Sequence, residues 1–352
     1  MVETGRVTLP QETPDRGHHR CSGHSRRDRG GSGLWRETGG GSPAYPALGY
    51  TLADEYLPFD FFDRFDYYSD VDPTEGFVDY VDGPTARALN LTTATASSAV
   101  LRVDASMANA TQGRRSVRLE STTAYDRGLF VFDILHTPYG CGTWPALWLT
   151  DPGHWPDNGE IDVLETTNRG SEGNAVTLHT GGKCMMDGER RQEGTPGEYA
   201  NCDNSAHSNA GCGVEGESGT YGEEMNAGGG GVYALELRPA GIRVWYFPRD
   251  SIPDDIDTDT SSASNGSIVP DPSSWPTPLA DFPGTNCDIA AQFRNQSIIA
   301  NIDLCGELGA QPRLYKELYS CPATCEEFVA HNPGNFTEAY WEFRSFRVYQ
   351  VD

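Results

Sequence analysis

The 352-residue sequence lacks any apolar run of the roughly 18 residues that a membrane helix needs, so we expect no membrane span. Basic residues are scarce: 26 Lys and Arg stand against 51 Asp and Glu, a formal charge of −25. This charge argues against a nucleic-acid partner, whose phosphates need a basic surface. Sustained helical periodicity is also missing. The length and the 37% hydrophobic content allow a sizeable core in one large or two medium domains.

The beginning of the chain differs in composition from the rest. Residues 1–45 are rich in Gly, Arg, His and Pro and predict a disordered head. They also lack the apolar segment of roughly 7–15 residues that marks a secretory signal. Because the remainder is typical of a secreted protein, our hypothesis is a wrong start of the coding sequence or an unassigned exon that replaces the signal. Residues 46–352 are expected to form a single domain.

Cysteines and glycosylation triplets indicate an extracellular setting. Cys21 lies in the head, and the eight cysteines that remain favour four disulfides, with the pairing left open. A metal site is the alternative reading, although Cys321 and Cys325 have no second close pair at zinc-finger spacing. Five N-x-S/T triplets agree with export. These triplets begin at Asn90, Asn109, Asn265, Asn295 and Asn335.

From about Tyr50 onward the chain predicts short strands separated by Gly, Pro, Asn and Asp. Their number and spacing indicate a single all-β sandwich. Two of them should form a hairpin closed by Pro239–Ala240–Gly241. The polar stretch 254–286 is interpreted as a long surface insertion. The predicted strands are Ala99–Val103, Ser116–Glu120, Gly128–Leu135, Ala146–Leu149, Glu160–Glu165, Ala175–His179, Val232–Arg238, Ile242–Phe247, Ile298–Leu304 and Tyr340–Gln350.

Three acids within six residues are the candidate catalytic groups. Glu160, Asp162 and Glu165 alternate with apolar residues in GEIDVLE, which is typical of a strand with carboxylates on one face. In so acidic a chain this spacing is expected about once by chance, so a solvated or ion-paired strand face is the alternative. Glu165 is five positions from Glu160 and would point the other way. A single β-bulge would bring all three carboxyls onto one face.

Such a cluster suits glycosidic bond hydrolysis, which needs carboxyls in different protonation states. Tryptophans flank the acids, and flat aromatic rings pack on the apolar faces of sugars. Trp144 and Trp155 are candidates for sugar binding, whereas Trp148 is expected in the core. His179 could hydrogen-bond an acid or a sugar, or be structural. Asn168, which closes the acid-bearing segment, is a further candidate.

At these motifs the sequence resembles family 16 of the glycoside hydrolases, most closely the fungal endo-1,3(4)-β-glucanases (laminarinases). The resemblance covers roughly residues 49–350. It implies a concanavalin A-like β-jelly roll of two antiparallel sheets with a concave substrate cleft. The segments that carry it are GCGTWPALWL (140–149), HWPDNGEIDVLETTN (154–168), TLHT (177–180), GGGVYALEL (229–237), VWYFPRDSIP (244–253) and AYWEFRSFRVYQ (339–350).

The resemblance also implies a retaining mechanism with a role for each acid. Glu160 would be the nucleophile and Glu165 the general acid/base, with Asp162 hydrogen-bonded to the nucleophile. No cofactor or catalytic metal would be needed, although relatives often carry a structural calcium ion away from the cleft. The expected partner is a β-glucan with 1,3 or mixed 1,3/1,4 linkages, and the protein is expected to be a secreted monomer.

Two departures from the family pattern bear on sugar binding. Relatives carry a Gly-Asp-Trp-Ala-Gly run where this chain has Gly306–Glu307–Leu308–Gly309, so Leu308 offers no flat ring. Thr166–Thr167 also replaces a commoner Gly-Val. Two alternatives stay open beside hydrolysis. A cell-wall β-glucan transglycosylase would use the same acids, and a carbohydrate-binding sandwich without activity would agree with the change at Leu308.

Overall fold

The chain folds mainly into β-strands, as its short alternating segments predict. A computed structural model describes residues 45–260 and 268–351, which all belong to one compact unit. The strands in chain order are β1 (Tyr50–Tyr56), β2 (Phe65–Tyr68), β3 (Val78–Tyr80), β4 (Thr92–Ala94), β5 (Ala99–Arg102), β6 (Arg114–Ser116), β7 (Arg118–Tyr125), β8 (Gly128–His136), β9 (Thr143–Thr150), β10 (Glu160–Glu165), β11 (Ala175–His179), β12 (Thr195–Pro196), β13 (Cys212–Glu215), β14 (Gly231–Arg238), β15 (Gly241–Pro248), β16 (Ala280–Pro283), β17 (Gln296–Leu304) and β18 (Tyr340–Val351).

The helices of the described residues are short and lie between strands. None of them is long and apolar enough to cross a membrane. They are α1 (Gly83–Ala88), α2 (Gly222–Ala227), α3 (Ile289–Gln292), α4 (Gly306–Gly309) and α5 (Cys325–His331), with 3-10 turns at Phe61–Arg64 and Pro333–Phe336 and a π-helical turn at Arg313–Leu318.

Two large antiparallel sheets form a jelly-roll sandwich, which confirms the predicted fold class. The first sheet has the order β16-β15-β14-β8-β18-β5-β4, with β1 also paired to β18. The second sheet has the order β12-β13-β11-β10-β9-β17-β7-β2, so the acid-bearing strand β10 lies in its interior. A small parallel pair, β3 and β6, completes the strands.

The main core fills the space between the two sheets. Phe130 and Phe132 of β8 face Leu147 of β9 and Ile161 of β10 in one continuous apolar cluster, and all four side chains are buried. Successive residues of a strand point to opposite faces, so the alternating segments supply this core from one face of each sheet. The opposite face of the second sheet is left for polar groups.

A second apolar cluster covers the outer face of the first sheet, and it corrects one prediction. Trp275 packs edge-on against Trp245 and Phe247, at ring distances of 5.2 and 5.3 Å. Its indole nitrogen donates to Asp255. Within the described part of residues 254–286, Trp275 therefore packs on the outer face of the first sheet, and β16 is a strand of that sheet. The stretch is more than a surface insertion, because its aromatic ring and its strand bury apolar area. Asn265 lies outside the described residues.

The predicted hairpin is present. Strands β14 and β15 pair from Gly231 with Pro248 to Arg238 with Gly241, which leaves Pro239 and Ala240 as the two turn residues. A two-residue connection between antiparallel strands gives this pair a fixed register.

Four disulfides join the eight cysteines of the domain, as predicted. The metal alternative is wrong, because Cys321 and Cys325 pair with different partners. Cys21 lies outside the described residues. The four bonds are Cys141–Cys321, Cys184–Cys287, Cys202–Cys212 and Cys305–Cys325.

The predicted head, residues 1–45, lies outside the described residues except for Tyr45. The Tyr45 hydroxyl donates to Asp281 at 2.6 Å, and its ring lies 4.2 Å from the Arg243 guanidinium. Asp281 is buried. Tyr45 thus packs with the domain that was predicted to begin one residue later.

Candidate active site

The three acids lie on β10, between β9 and β11 of the second sheet. Ile161, Val163 and Leu164 are fully buried in the main core. Glu160 and Glu165 are half-buried on the opposite face. This division places apolar residues inward and carboxyls outward, which is what the sequence pattern predicts.

A β-bulge brings the third acid to the face of the other two. On β9, Trp148 pairs with Asp162 and Leu147 pairs with Leu164, so Val163 has no counterpart there. The extra residue explains why two neighbours, Val163 and Leu164, can both point into the core. The bulge expected from parity is confirmed.

Trp155 contacts the first acid of the cluster. It lies on the loop between β9 and β10, with 44% of its surface exposed. Its indole N–H donates to Oε2 of Glu160. The loop is held by the buried Asp151, which accepts hydrogen bonds from the side chains of His154 and Asn158. An exposed ring anchored beside a carboxyl is a suitable surface for a sugar.

Trp144 contacts the last acid. Its indole N–H donates to Oε1 of Glu165 at 2.7 Å. Burial raises the pKa of Glu165, and the Trp144 hydrogen bond opposes this by stabilising the carboxylate. Helix α4 packs on the same indole, since a Cβ on Gly306 would lie 2.9 Å from the Trp144 ring. The half-buried Leu308 belongs to this helix.

Asp162 is the buried acid between the two glutamates. Burial raises its pKa well above the usual 3.8, and the charges of Glu160 and Glu165 add to this effect. Its Oδ2 accepts no hydrogen bond from any described residue. Nε2 of His179 lies 3.5 Å from that oxygen, and Nδ1 of His179 contacts Oδ1 of Asn209 at 3.0 Å. A side-chain hydrogen bond with Glu160 also raises the pKa of Asp162, so the proton that Asp162 retains lies beside the first glutamate.

Glu160, Asp162 and His179 are also the group of described residues whose geometry would suit a metal ion, with ligand atoms within 4.8 Å of one another. Calcium prefers an all-oxygen shell of six to eight ligands. Two carboxyls and an imidazole do not match that preference. This cluster is therefore not suited to calcium, and the structural calcium ion implied by the resemblance, which lies away from the cleft in relatives, stays a prediction.

Asn168 does not fit the sugar-binding role predicted for it. It is fully buried, with a left-handed φ of 54°. Its Oδ1 accepts from the Gly142 N–H at 2.8 Å, and its Nδ2 donates to the Gly309 carbonyl at 3.1 Å. Both ends of the amide are thus hydrogen-bonded to backbone groups of neighbouring segments, and the buried side chain is not accessible to a sugar.

Trp148 was expected in the core, and this prediction is wrong. It is half-buried and pairs with Asp162, so it lies on the acid-bearing face. Its indole N–H donates to Oδ1 of Asn301 at 2.9 Å. The Arg118 guanidinium lies 5.1 Å from the Trp148 ring and 4.6 Å from the ring of Tyr68. These residues extend an aromatic surface away from the acids, and strand alternation was the signal that could have placed them.

A small cavity opens on the other side of the acids. It has a volume of about 150 Å³ and includes Ala175 and Thr177, which pair with Glu165 and Asp162. Tyr199, Gly211 and Gly213 also line it. The carboxyl cluster therefore lies between the rings of Trp148 and Tyr68 on one side and this cavity on the other.

The sandwich with three carboxyls on one face of a sheet is the arrangement that the comparisons with known proteins assign to a class. A family profile described as the XgeA-like, catalytic GH16 domain matches residues 65–349. The chain belongs to glycoside hydrolase family 16, as the resemblance implied.

Two curated relatives illustrate the similarity. A probable glycosidase of Schizosaccharomyces pombe is 45% identical over 311 residues, covering 88% of this chain and 71% of that protein. An endo-1,3(4)-beta-glucanase of Arthroderma benhamiae is 39% identical over 308 residues, covering 86% of this chain and 65% of that protein. The chain spans less than half the length of another such enzyme, from Emericella nidulans, at 48% of that protein.

Solved structures agree with the fold. GH16 Laminarinase 16A from Phanerochaete chrysosporium, in a structure with beta-glucans in both donor and acceptor sites, is 40% identical with a TM-score of 0.77. The match covers 86% of this chain and 99% of that one. An elongating family 16 beta-1,3-glucosyltransferase is 39% identical with the same TM-score, covering 86% and 100%.

Proposed function

We propose that this glycoside hydrolase cleaves internal bonds of β-1,3- and mixed β-1,3/1,4-glucans with retention of configuration. The observation that carries the proposal is the bulged strand that holds Glu160, Asp162 and Glu165 on one face. Two half-buried carboxyls flank a buried third, so the cluster can hold acids in different protonation states. The relatives that act on β-glucans support the choice of substrate.

In the first step, Glu160 acts as the nucleophile. Its carboxylate attacks the anomeric carbon while the bond to the leaving oxygen breaks, and Glu165 gives its proton to that oxygen. Burial suits Glu165 for this role, because a raised pKa keeps the acid protonated at a higher pH. Trp155 and Asp162 orient the nucleophile through their contacts with it.

In the second step, water replaces the leaving group. The ionised Glu165 takes a proton from a water molecule, which attacks the anomeric carbon and releases Glu160 from the sugar. Glu165 ends protonated and Glu160 ionised, so the enzyme returns to its starting state. The chemistry uses carboxyls throughout and requires no cofactor.

The test is to incubate the protein with laminarin, lichenan and cellulose, measuring reducing ends and product lengths. Laminarin and lichenan should be cleaved to oligosaccharides, whereas cellulose should not. Glu160→Gln and Glu165→Gln should each lower the rate by at least about 100-fold. The exposed Glu326→Gln on α5 is the matched control and should keep the full rate. Release of no sugar from any β-glucan would contradict the proposal.

Transglycosylation is the second candidate, favoured by the cavity beside Glu165. A sugar bound at Ala175 and Thr177 would lie on the side of the acid/base and could replace water as acceptor. The similarity to the elongating glucosyltransferase supports this alternative. Products longer than a supplied laminarihexaose would identify it, and their absence at high substrate concentration would leave hydrolysis alone.

The protein is further proposed to be secreted and glycosylated. Four disulfides require an oxidising compartment. Asn90, Asn109, Asn295 and Asn335 are all exposed and therefore open to a glycosyltransferase. Removing N-glycans enzymatically from protein secreted by a fungal host should lower its mass in gel electrophoresis. An unchanged mass would argue against glycosylation.

A further inference from the structure

The carboxamide of Asn174 bridges the two sides of the catalytic bulge. Its Nδ2 donates to the Val163 carbonyl at 2.8 Å, and its Oδ1 accepts from the Glu165 N–H at 2.9 Å. Asn174 is buried, directly before β11. One side chain thus contacts both peptide groups that enclose Leu164.

The bulge leaves these peptide groups without their usual ladder partners. On β11, Thr177 pairs with Asp162 and Ala175 with Glu165, so two residues of β10 stand opposite one. Buried peptide groups need hydrogen bonds, and the irregular register does not provide them from the neighbouring backbone. The Asn174 amide supplies one acceptor and one donor in their place.

Asn174 is itself held in position from the far side. Its backbone N–H donates to Oγ1 of Thr220 at 2.9 Å, and that hydroxyl donates to the Glu217 carbonyl at 2.6 Å. The preceding Gly173 has a φ of 104°, and a Cβ there would lie 2.4 Å from the Glu217 oxygen. The amide is therefore presented to the bulge by a tightly packed loop.

We propose that Asn174 is a positioning residue for the reaction: it clamps the bulge and thereby fixes the orientation of the Glu165 carboxyl. The inference rests on the proposed role of Glu165 as acid/base. Without the clamp, β10 can relax toward regular pairing, in which Glu165 turns toward the core side by strand parity. The rate of proton transfer by Glu165 should then fall, while Glu160 and Asp162 keep their positions.

The chain offers a matched control in Asn226. Its Oδ1 accepts from the Thr137 N–H at 2.9 Å, and its Nδ2 donates to the Thr137 carbonyl at 2.9 Å. This amide also bridges an N–H and a carbonyl, but on a segment outside the acid-bearing strand. Asn226→Ala therefore measures what the loss of such a bridge does to the fold alone.

The experiment compares two substrates that differ in their need for Glu165. Laminarihexaose has a sugar leaving group that must be protonated. A 2,4-dinitrophenyl β-laminaribioside has a leaving group that departs unaided, and added azide attacks the glycosyl-enzyme without a base. The ratio of the two rates reports proton transfer and is independent of the fraction of folded protein.

We expect Asn174→Ala to lower the laminarihexaose rate at least about 30-fold, within the range of acid–base catalysis. The dinitrophenyl rate with azide should fall less than about threefold, with glycosyl azide as product. Asn226→Ala should leave the ratio of rates unchanged. Asn174→Asp, which keeps an acceptor for the Glu165 N–H, should give an intermediate ratio. It also carries the test if Asn174→Ala does not fold.

Hydrogen exchange provides a second readout, because Asn174 protects the Glu165 amide. A peptide covering β10 should exchange faster in Asn174→Ala and at the wild-type rate in Asn226→Ala. Equal losses on both substrates in Asn174→Ala would overturn the positioning role. If Glu165→Ala also loses both rates equally, Glu165 is not the acid/base, and both the proposed function and the positioning role are wrong. If Glu165→Ala keeps the dinitrophenyl rate but Asn174→Ala does not, only the proposed role of Asn174 is wrong.

Discussion

Trp144 and Glu165 lie on neighbouring strands and are joined by a hydrogen bond of 2.7 Å from the indole N–H to the carboxylate. Trp144→Phe removes this donor and replaces the indole with a smaller aromatic ring. Because the bond stabilises the ionised acid, its loss should raise the pKa of Glu165. The alkaline limb of the pH profile of kcat/KM should then move to higher pH, while kcat falls about three- to tenfold through poorer placement.

Trp148→Phe is the control for this experiment. Its indole donates to Asn301 and not to an acid, so the alkaline limb should stay where it is. An unchanged limb in Trp144→Phe would mean that another group governs the loss of activity at high pH.

Trp148 should bind sugar away from the cleaved bond. Trp148→Ala removes a half-buried ring on the acid-bearing face, beside Arg118. Aromatic stacking of about 0.5–1.5 kcal/mol corresponds to a KM increase of about two- to tenfold. We expect the increase for laminarihexaose and a smaller one for laminaritriose, with little change in kcat. Equal increases for both lengths would contradict a remote subsite.

Asp303 should make stability depend on pH. It is buried on β17, and burial together with the charge of Asp72 raises its pKa well above the usual 3.8. The Thr74 hydroxyl lies between the two carboxyls, 2.6 Å from Oδ2 of Asp72 and 3.0 Å from Oδ2 of Asp303. A raised pKa in the folded state means that this contribution is complete below the unfolded pKa near 4 and is lost as pH rises through the folded pKa.

Asp303→Asn should remove that loss, because the amide resembles the protonated acid. We expect its melting temperature to exceed that of the wild type by about 2 °C or more at pH 7 and to match it at pH 4. Calorimetry across this pH range measures the difference, with the exposed Asp66→Asn as control. If the melting temperatures of all three proteins changed with pH in the same way, Asp303 would not be the cause of the loss of stability.

Tyr45 should contribute to the stability of the domain. Tyr45→Phe leaves the buried Asp281 without a hydrogen bond of 2.6 Å. The free energy of unfolding should fall by about 1–3 kcal/mol. Tyr68→Phe, which removes an exposed hydrogen bond to Val71, should have a smaller effect. Denaturant titration of both variants would decide whether the domain begins before residue 46.

Much of the framework could be predicted because alternation is local. Strands β10 and β11 have the predicted bounds, since acids or polar residues alternate there with core residues. Strand β16 was missed, because Ala280–Pro283 lies in a polar segment and becomes a strand only by pairing with β15. The disulfide partners are up to 180 residues apart, so no local pattern could reveal them.

In the candidate site, too, local alternation could be read from the sequence, whereas tertiary contacts could not. If the three acids share a face, parity requires one bulge near Val163–Leu164. Alternation between Leu147 and Leu149 could likewise have turned Trp148 toward the acids. Asn168 and Asn174 could not be told apart by sequence, because both are asparagines in loops near β10. Only the tertiary contacts show that Asn168 joins loops and that Asn174 contacts the bulge.

The bulge has a consequence for how such a strand can change length. Deleting Val163 would restore plain alternation and would keep all three carboxyls on one side with no irregularity in pairing. The amide of Asn174 would then face backbone groups that already have partners. We therefore expect the two positions to covary among relatives: a sequence without a residue at position 163 should not retain Asn at position 174.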